Sequence, residues 1–352
     1  MVAFLGWASS TILFALTSPD KAQTAKQIST EEYTNVLQWL NNTFPTSYIN
    51  PSLSINPSPC GGHGVFATEP ISENDVLFKI PRDACITSTS ILNDEECGTA
   101  FQTLMKKAGP GSFTVSMAGY LAKEYLCYLE GKESKFGPYL ATLPWKRGWN
   151  GQEHVLFWKE EDVAELLEDS LCYRESNDLR EEVQLARRVM NAIVGPSILK
   201  ARGEMEEEKP LIPFLEFTKP PPQALTSPVS GFGRAITGAF VILLTRAFDD
   251  DYDTEIDFED AERLIPILDM LNHNAEPTIR YSTNEEGTVE VIARRDVETG
   301  EEIYNRYREE EELNMPYHRF FSRFGFVPGI TENMINLLKD ESSIFFAKRK
   351  EI

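Results

Sequence analysis

The spacing of apolar residues changes several times along the chain. Glu31–Phe44 has the apolar spacing of a short amphipathic helix, and a Pro-, Ser- and Asn-rich stretch, INPSPCGGHG, is predicted to be a loop. Val65–Thr68 and Val76–Ile80 then alternate as two strands do, joined by the polar turn EPISEND. From Phe113 to Glu130 the apolar residues fall on one face of a helix.

Helical spacing continues through the middle of the chain, in Val163–Leu171, Leu179–Val194 and Ala235–Phe248. Strand patterns return in PTIRYST and TVEVIARRDV, on either side of the turn Asn284–Gly287, and then in EEIYNRY. The order of strands, a helical block of roughly 150 residues and strands again predicts an α+β fold. In this fold a β domain is interrupted by an α-helical insertion.

The N-terminal residues form a separate segment. Residues 2–17, VAFLGWASSTILFALT, are an uncharged apolar run that is shorter than an ordinary membrane span. The run is similar to the apolar part of a signal peptide, although no Lys or Arg precedes it and no A-x-A site follows. We therefore predict residues 1–28 to be a targeting or disordered segment, residues 29–59 to be an N-terminal flank, and no stable membrane span beyond this signal. The sequence does not assign the protein to one cellular compartment.

The net charge of the chain favours some classes of binding partner over others. Lys and Arg number 34 and Asp and Glu number 55, which gives a formal net charge of -21 at pH 7. Such a surface repels phosphate backbones, so a nucleic acid is not predicted as a partner. A protein or peptide substrate of basic character fits the sign of the charge better.

No metal site is predicted. The five cysteines lie far apart without a C-x-x-C pair, and the four histidines lack the spacing of metal ligands. The acidic run DDDYDTEIDFED begins like a calcium loop, but it has Thr254 where such a loop needs glycine and Asp260 where it needs a bidentate Glu. We interpret the run as a solvated acidic loop.

The segment PILDMLNHN contains the first candidate chemistry. It places Asp269, Asn272 and His273 within five residues of an otherwise apolar stretch. Polar groups in such a setting need partners. Either they tie down a turn by bonding nearby backbone, or they serve a binding site.

Four separated stretches resemble, in order and in kind, a SET-domain protein methyltransferase of the Rubisco large-subunit methyltransferase-like class. They are GGHGVFATEPISENDVLFKIP (61–81), SKFGPYLATLP (134–144), IPILDMLNHN (265–274) and the pair GEEIYNRY and RFGFVPG (300–307 and 323–329). The resemblance covers roughly residues 50–330. It implies a SET domain at 60–307 that contains a helical insertion at about 90–248. A C-terminal flank at 308–352 follows and contains the G-F-V motif.

The resemblance also implies the cofactor S-adenosyl-L-methionine and the roles of several residues. Asn272 and His273 match the family's N-H pair, which would hold the amino-acid end of the cofactor. Asp269 would brace the same crossing of the chain or touch the cofactor. Tyr307 would be the catalytic residue, with its hydroxyl orienting the incoming nitrogen.

Six further positions are implied to bind the cofactor: Gly62, Gly64, Phe66, Arg246, Phe324 and Phe326. The glycines would let the backbone approach the ligand, and the last two phenylalanines would pack the adenine. Each of these residues also has an ordinary structural interpretation. A G-x-G turn is typical of the entry to a hairpin, and an arginine at a helix C-terminus complements the helix dipole. Two phenylalanines are typical of a hydrophobic core.

The implied function is methyl transfer to a protein lysine. Transfer to histidine or another nitrogen is one alternative, and a catalytically silent SET fold that binds a protein is another. Two departures from the family concern the substrate. Arg308 and the acids of 309–313 replace a glycine and a short Ser-Asn turn, which predicts an acidic substrate entrance. After the G-F-V motif only residues 328–352 follow, where many relatives carry a helical substrate-binding domain.

Overall fold

The computed structural model describes residues 28–109, 111–201, 231–250, 261–307 and 316–326. The helices in these ranges are α1 Thr30–Thr43, α2 Ser88–Leu92, α3 Gly98–Ala108, α4 Ser112–Leu129, α5 Gly137–Thr142, α6 Glu160–Leu167, α7 Leu171–Ala201, α8 Phe232–Arg246 and α9 Tyr317–Phe324. The strands are β1 Tyr48–Ile49, β2 Leu53–Pro57, β3 His63–Ala67, β4 Val76–Ile80, β5 Phe248–Asp249, β6 Glu262–Arg263, β7 Asn272–His273, β8 Ile279–Thr283, β9 Val289–Ala293 and β10 Glu302–Asn305. The predicted α+β class is confirmed, with helices α2 to α8 lying between β4 and β5.

Two four-stranded sheets form the β part of the fold. The first has the order β1-β4-β9-β8 and is antiparallel throughout. The second has the order β2-β3-β10-β7, and its last pair, β10 with β7, is parallel. Strands from both ends of the chain therefore meet in each sheet.

Each part of the fold has its own hydrophobic core. The core of the β part includes Val65, Phe78 and Val291 and is covered by α1 through Val36 and Leu40. Helix α1 begins with a capping box in which Ser29 and Glu32 bond each other's backbone N–H groups. The capping box thus fixes the first turn of the helix whose apolar face covers the β core.

The helical core is built around the long helices α4, α7 and α8. The rings of Tyr125 and Trp145 stack at 3.9 Å between their centroids. The indole of Trp39 on α1 packs against both this core and the β core. The helical part is thus packed onto the β part rather than tethered to it.

Several predicted elements agree with the structure. Glu31–Phe44, Phe113–Glu130 and Ala235–Phe248 correspond to α1, α4 and α8, with bounds shifted by a few residues. The predicted strand pairs before and after the helical block are also present. No helix within the described ranges is long and apolar enough to cross a membrane.

Other predictions were wrong in detail. The predicted loop INPSPCGGHG contains the end of β2 and the start of β3, since Asn56 and Pro57 pair with Gly64 and His63. The predicted helix Val163–Leu171 ends at Leu167, because Asp169 has a left-handed φ of 63°. The predictions about residues 2–17, 309–313 and 328–352, and about Thr254 and Asp260, concern parts of the chain outside the described residues.

Candidate active site

The parallel pair β7–β10 makes two distant segments cross. Asn272 lies opposite Tyr304 and His273 lies opposite Asn305. The N–H of the next residue, Asn274, donates to the carbonyl of Asn305 at 2.9 Å. The polar residues of PILDMLNHN therefore order a crossing of the backbone, and the same crossing forms the floor of the candidate site.

The carboxylate of Glu302 joins three segments at this crossing. Glu302 is 5% exposed. Its Oε1 accepts from Asn272 Nδ2 at 2.7 Å, and its Oε2 accepts from the hydroxyls of Ser58 at 2.9 Å and Tyr304 at 3.0 Å. The pair register places Glu302 opposite Phe66 of β3, so both side chains project from one face of the sheet, and a Cβ at Gly64 would point to the same face.

The G-x-G turn packs closely against protein groups. A Cβ on Gly64 would lie 2.1 Å from Oε1 of Glu302, and one on Gly62 would lie 2.3 Å from the carbonyl of Asn150. The intervening His63 bonds Asn150 Oδ1 through Nδ1 at 3.0 Å, and its ring lies 4.7 Å from that of Tyr33. The turn is thus held between the helical part and α1, which gives His63 a role that its sequence position did not reveal.

Arg246 and Asp269 form a buried ion pair beside the crossing. Arg246 ends α8, and its Nη1 donates to the carbonyl of Asp269 at 2.9 Å and to its Oδ2 at 3.2 Å. Tyr139 of α5 donates its hydroxyl to the same Oδ2 at 3.0 Å. Burial raises the pKa of Asp269, and the arginine and tyrosine counter that shift. Ile267, two residues earlier, has a φ of 71°, a strained value for a β-branched residue.

Three buried polar atoms around this pair have no hydrogen-bond partner among the described residues. They are the hydroxyl of Tyr33, Nε of Arg246 and Oδ1 of Asp269. Arg246 and Asp269 both influence the pKa of Tyr33, which burial raises well above its ordinary value. Each unsatisfied atom costs about 1–3 kcal/mol. A polar ligand that bonded them would recover this free energy.

An aromatic wall stands over the crossing, formed by His273, Tyr307, Phe320, Phe324 and Phe326. The ring of Tyr307 lies 5.2 Å from that of His273 and 5.4 Å from that of Phe324. Phe324 is buried, whereas Phe326 is 39% exposed and forms the open side of the wall.

A buried histidine links the aromatic wall to the helical part of the fold. His154 is fully buried, and its Nδ1 accepts from the N–H of Leu156 at 3.2 Å. Its Nε2 must therefore carry the proton that is donated to the carbonyl of Arg323 at 3.2 Å, one residue before Phe324.

The wall also sets the protonation of its own members. Burial raises the pKa of Tyr307 to about 12, so the residue is a neutral phenol near pH 7. Burial, aided by Arg306, lowers the pKa of His273. The Nδ1 of that ring accepts the N–H of Tyr307 at 3.1 Å, so the imidazole is neutral and positioned. Neither ring is arranged as a general base.

Residues 62–308 match the SET domain family. The chain belongs to this family. The match covers the crossing, the Glu302 carboxylate, the Arg246–Asp269 pair and Tyr307. The predicted resemblance is therefore confirmed at the level of the family.

Two curated proteins are similar to this SET-domain chain. It is 22% identical over 343 residues to Ribosomal lysine N-methyltransferase 4 of Saccharomyces cerevisiae, covering 87% of this chain and 59% of that protein. It is 21% identical over 264 residues to N-lysine methyltransferase setd6 of Xenopus laevis, covering 74% of this chain and 51% of that protein. The chain spans between half and three fifths of the length of these relatives.

The fold of the SET-domain chain is also similar to that of a solved structure. The crystal structure of the SET domain of LSMT bound to lysine and AdoHcy matches it with a TM-score of 0.58 and 17% sequence identity. The match covers 84% of this chain and 57% of that chain. At this identity the likeness shows that the fold is shared.

Most of the residues predicted for the SET-domain site lie close together. Asp269, Asn272, His273 and Arg246 surround the crossing, and Tyr307, Phe324 and Phe326 stand over it. The strand EEIYNRY was predicted to end at Tyr307, but β10 ends at Asn305, so Tyr307 lies two residues beyond the strand. Gly62 contacts the helical part, and Phe66 lies on the site's face of β3.

Four residues with contacts at the site were not predicted: Tyr33, Tyr139, Glu302 and Phe320. Tyr139 and Glu302 stand inside the stretches that carry the resemblance, but the motifs gave them no role. Phe320 is an apolar residue four positions before Phe324 on α9, a spacing that places the two on one helix face. Tyr33 lies outside the family match, and no sequence signal connected it with the site. The described residues contain no group of three or more His, Cys, Asp or Glu that could hold a metal ion.

Proposed function

We propose that this chain is an S-adenosylmethionine-dependent protein-lysine N-methyltransferase with Tyr307 as the catalytic residue. The observation that carries the proposal is the β7–β10 crossing, where the Asn272–His273 pair, the Arg246–Asp269 pair and the Tyr307 phenol converge. Membership of the SET family and the lysine methyltransferase names of two relatives support the same reaction.

The polar groups of the site match the amino-acid end of S-adenosylmethionine. The unpartnered Nε of Arg246 is a donor of the kind that a carboxylate accepts. Asn272 directs its amide nitrogen toward Glu302, which leaves its oxygen as an acceptor for an ammonium group. Phe324 and Phe326 offer apolar faces for the adenine. We assign these residues, with Gly62, Gly64, Phe66, Asp269 and His273, to cofactor binding.

The residues of the wall suit transfer to an amine. S-adenosylmethionine supplies, when bound, a methyl group attached to a sulfonium. Tyr307 is a neutral phenol whose oxygen can accept a hydrogen bond from the incoming nitrogen and orient it. The surrounding rings exclude water, which favours the uncharged form of a lysine amine. His273 holds the backbone of Tyr307 in place.

The proposed substrate is a protein or peptide. The net charge of -21 favours a basic polypeptide and disfavours a nucleic acid, whose phosphates are also negative. We further propose that the SET domain occupies residues 60–307, with its helical insertion at about 90–248 and flanks on either side. The contacts of Tyr33 with His63 support a structural role for the N-terminal flank in this unit.

Methyl-labelled S-adenosylmethionine tests the function. The full chain is incubated with the labelled compound and a cell extract, and the labelled residue is identified by mass spectrometry. We expect label on lysine from the wild type and from Tyr281→Phe, an exposed tyrosine, and strongly reduced label from Tyr307→Phe. Label on histidine would establish the alternative acceptor. Failure of the wild type to bind S-adenosylmethionine or its demethylated product would leave a silent, protein-binding fold.

A further inference from the structure

The orientation of the Asn272 amide is fixed by its surroundings. Two groups face its Nδ2: the carboxylate of Glu302 at 2.7 Å and the carbonyl of His63 at 3.4 Å. Both are acceptors. A flipped amide would set oxygen against oxygen twice, so the nitrogen must face these two groups.

The amide oxygen is consequently available on the other side of the side chain. Oδ1 of Asn272 accepts no hydrogen bond from a described residue, and it is not among the enclosed, unpartnered atoms. Half-buried Asn272 therefore presents an acceptor, and only an acceptor, to a ligand over the crossing. The group it recognises must be a hydrogen-bond donor.

Glu302 controls this arrangement more directly than any other group. Its Oε1 makes the shorter of the two contacts to the amide, while Ser58 and Tyr304 hold Oε2 and so prevent the carboxylate from turning. The absence of a side chain at Gly64 makes room for it, since a Cβ there would lie 2.1 Å from Oε1.

We infer that Glu302 is a positioning residue that locks the Asn272 amide with its oxygen toward the ligand, so that the site selects a ligand with a hydrogen-bond donor, such as an amine, at this position. This inference rests on the proposed function, in which that amine is the α-ammonium group of S-adenosylmethionine. Glu302 touches no reacting atom. It acts through Asn272, and its effect is on ligand selection.

Exchanging donors and acceptors across the contact tests the inference. Asn272→Asp places a second carboxylate against that of Glu302, at the 2.7 Å contact, and should weaken binding of S-adenosylhomocysteine by about 30-fold or more. In the double variant Asn272→Asp with Glu302→Gln, the new amide donates to one aspartate oxygen and the other oxygen faces the ligand. We expect the double variant to bind at least about 5-fold more tightly than Asn272→Asp, although an aspartate oxygen still faces the carbonyl of His63. Calorimetry on the full chain measures all three.

Glu302→Gln alone provides a second measurement, because it keeps the size of the side chain. The wild type should prefer S-adenosylhomocysteine over its analogue without the α-amino group by about 10-fold or more. Glu302→Gln should lose most of this preference. The glutamine oxygen keeps the hydrogen bonds from Ser58 and Tyr304, so its N–H2 group faces Asn272 and favours an amide turned with its oxygen away from the ligand. Glu301→Gln, which changes the neighbouring carboxylate that pairs with Arg295 at the surface, should keep it.

The outcomes separate the inference from the function on which it rests. Rescue by the double variant, or a lost amine preference in Glu302→Gln, supports the role of Glu302. If the wild type binds S-adenosylhomocysteine but the double variant is no better than Asn272→Asp and Glu302→Gln keeps the preference, the inference is overturned while the function stands. A wild type that binds neither compound overturns both.

Discussion

The backbone N–H of Tyr307 donates a hydrogen bond to Nδ1 of His273 at a distance of 3.1 Å. Because Tyr307 lies two residues beyond the end of β10, the sheet itself does not fix its position. The imidazole takes over that task, and its lowered pKa keeps it neutral and able to accept. The phenol is thereby held against Phe324 and above the crossing.

Replacement of Tyr307 by phenylalanine keeps the ring and its packing and removes one oxygen. We expect turnover to fall by a factor on the order of 10²–10³, as for loss of a preorganised polar group at a reacting centre. Affinity for S-adenosylhomocysteine should change little, because the proposed role belongs to the transition state. Single-turnover rates and calorimetry give the two values. Normal turnover in the variant would remove the assignment and make Tyr304 the next candidate.

Gly64→Ala should damage the site through crowding. The new methyl group would displace the Glu302 carboxylate, at a cost of about 1–3 kcal/mol in the free energy of unfolding, and should also weaken cofactor binding. Gly233→Ala is the matched control. The three atoms nearest to its Cβ would all belong to the guanidinium of the exposed Arg187, which can move, and alanine favours the helix by up to about 1 kcal/mol. In denaturant titrations, the free energy of unfolding should decrease for Gly64→Ala and increase for Gly233→Ala. Equal destabilisation of the two variants would contradict crowding at Gly64.

Tyr33→Phe and Tyr139→Phe should also have opposite effects on stability. The hydroxyl of Tyr33 is buried without a partner, so its removal should stabilise the free protein by about 1 kcal/mol. The hydroxyl of Tyr139 donates to Asp269, so its removal should destabilise the protein by about 1–3 kcal/mol. Thermal melts without ligand make the comparison. A loss of stability in both variants would show that the hydroxyl of Tyr33 has a partner.

His154 should make stability fall in mild acid. Burial lowers its pKa to about 4, with Arg180 acting in the same direction, while the ordinary value is 6.5. Between these values the unfolded chain binds a proton that the folded protein does not, so the free energy of unfolding decreases as the pH falls from 6.5 to 4. At 1.36 kcal/mol per pH unit the full loss is about 3 kcal/mol.

Melting curves of the wild type and His154→Gln across this pH range provide the test. Glutamine can keep both hydrogen bonds, from Leu156 and to Arg323, but does not titrate. The variant should therefore show a shallower decline in acid. Parallel declines in the two proteins would assign the acid sensitivity to other groups.

Sequence periodicity predicted the helices that carry their own signals and missed those that do not. Helix α1 has a capping box and a clear apolar face, and its bounds were predicted to within one residue. Helices α5 and α9 span only 6 and 8 residues, which is too short to show a helical period, and neither has a side-chain N-cap. Tertiary packing determines these helices, and a local pattern does not contain that information.

The candidate site shows the same division between local motif and tertiary contact. Glu301 and Glu302 are neighbours of the same type, yet Glu301 pairs with Arg295 at the surface and Glu302 is buried at the crossing. Only the register of β10 against β3 decides which carboxylate faces inward. Tyr33 on α1 is close enough to Arg246 and Asp269 for both to influence its pKa, and this proximity depends on the docking of a whole helix.

The pairing of β3 with β10 has a consequence for biosynthesis. Val65 and Ile303 are partners separated by about 240 residues, so the edge of β3 stays open while the ribosome makes the entire helical part. An open strand edge invites pairing with other chains. The nascent protein therefore exposes this edge for much of its translation, and the crossing of β7 with β10 can form only after Glu302–Asn305 has left the ribosome.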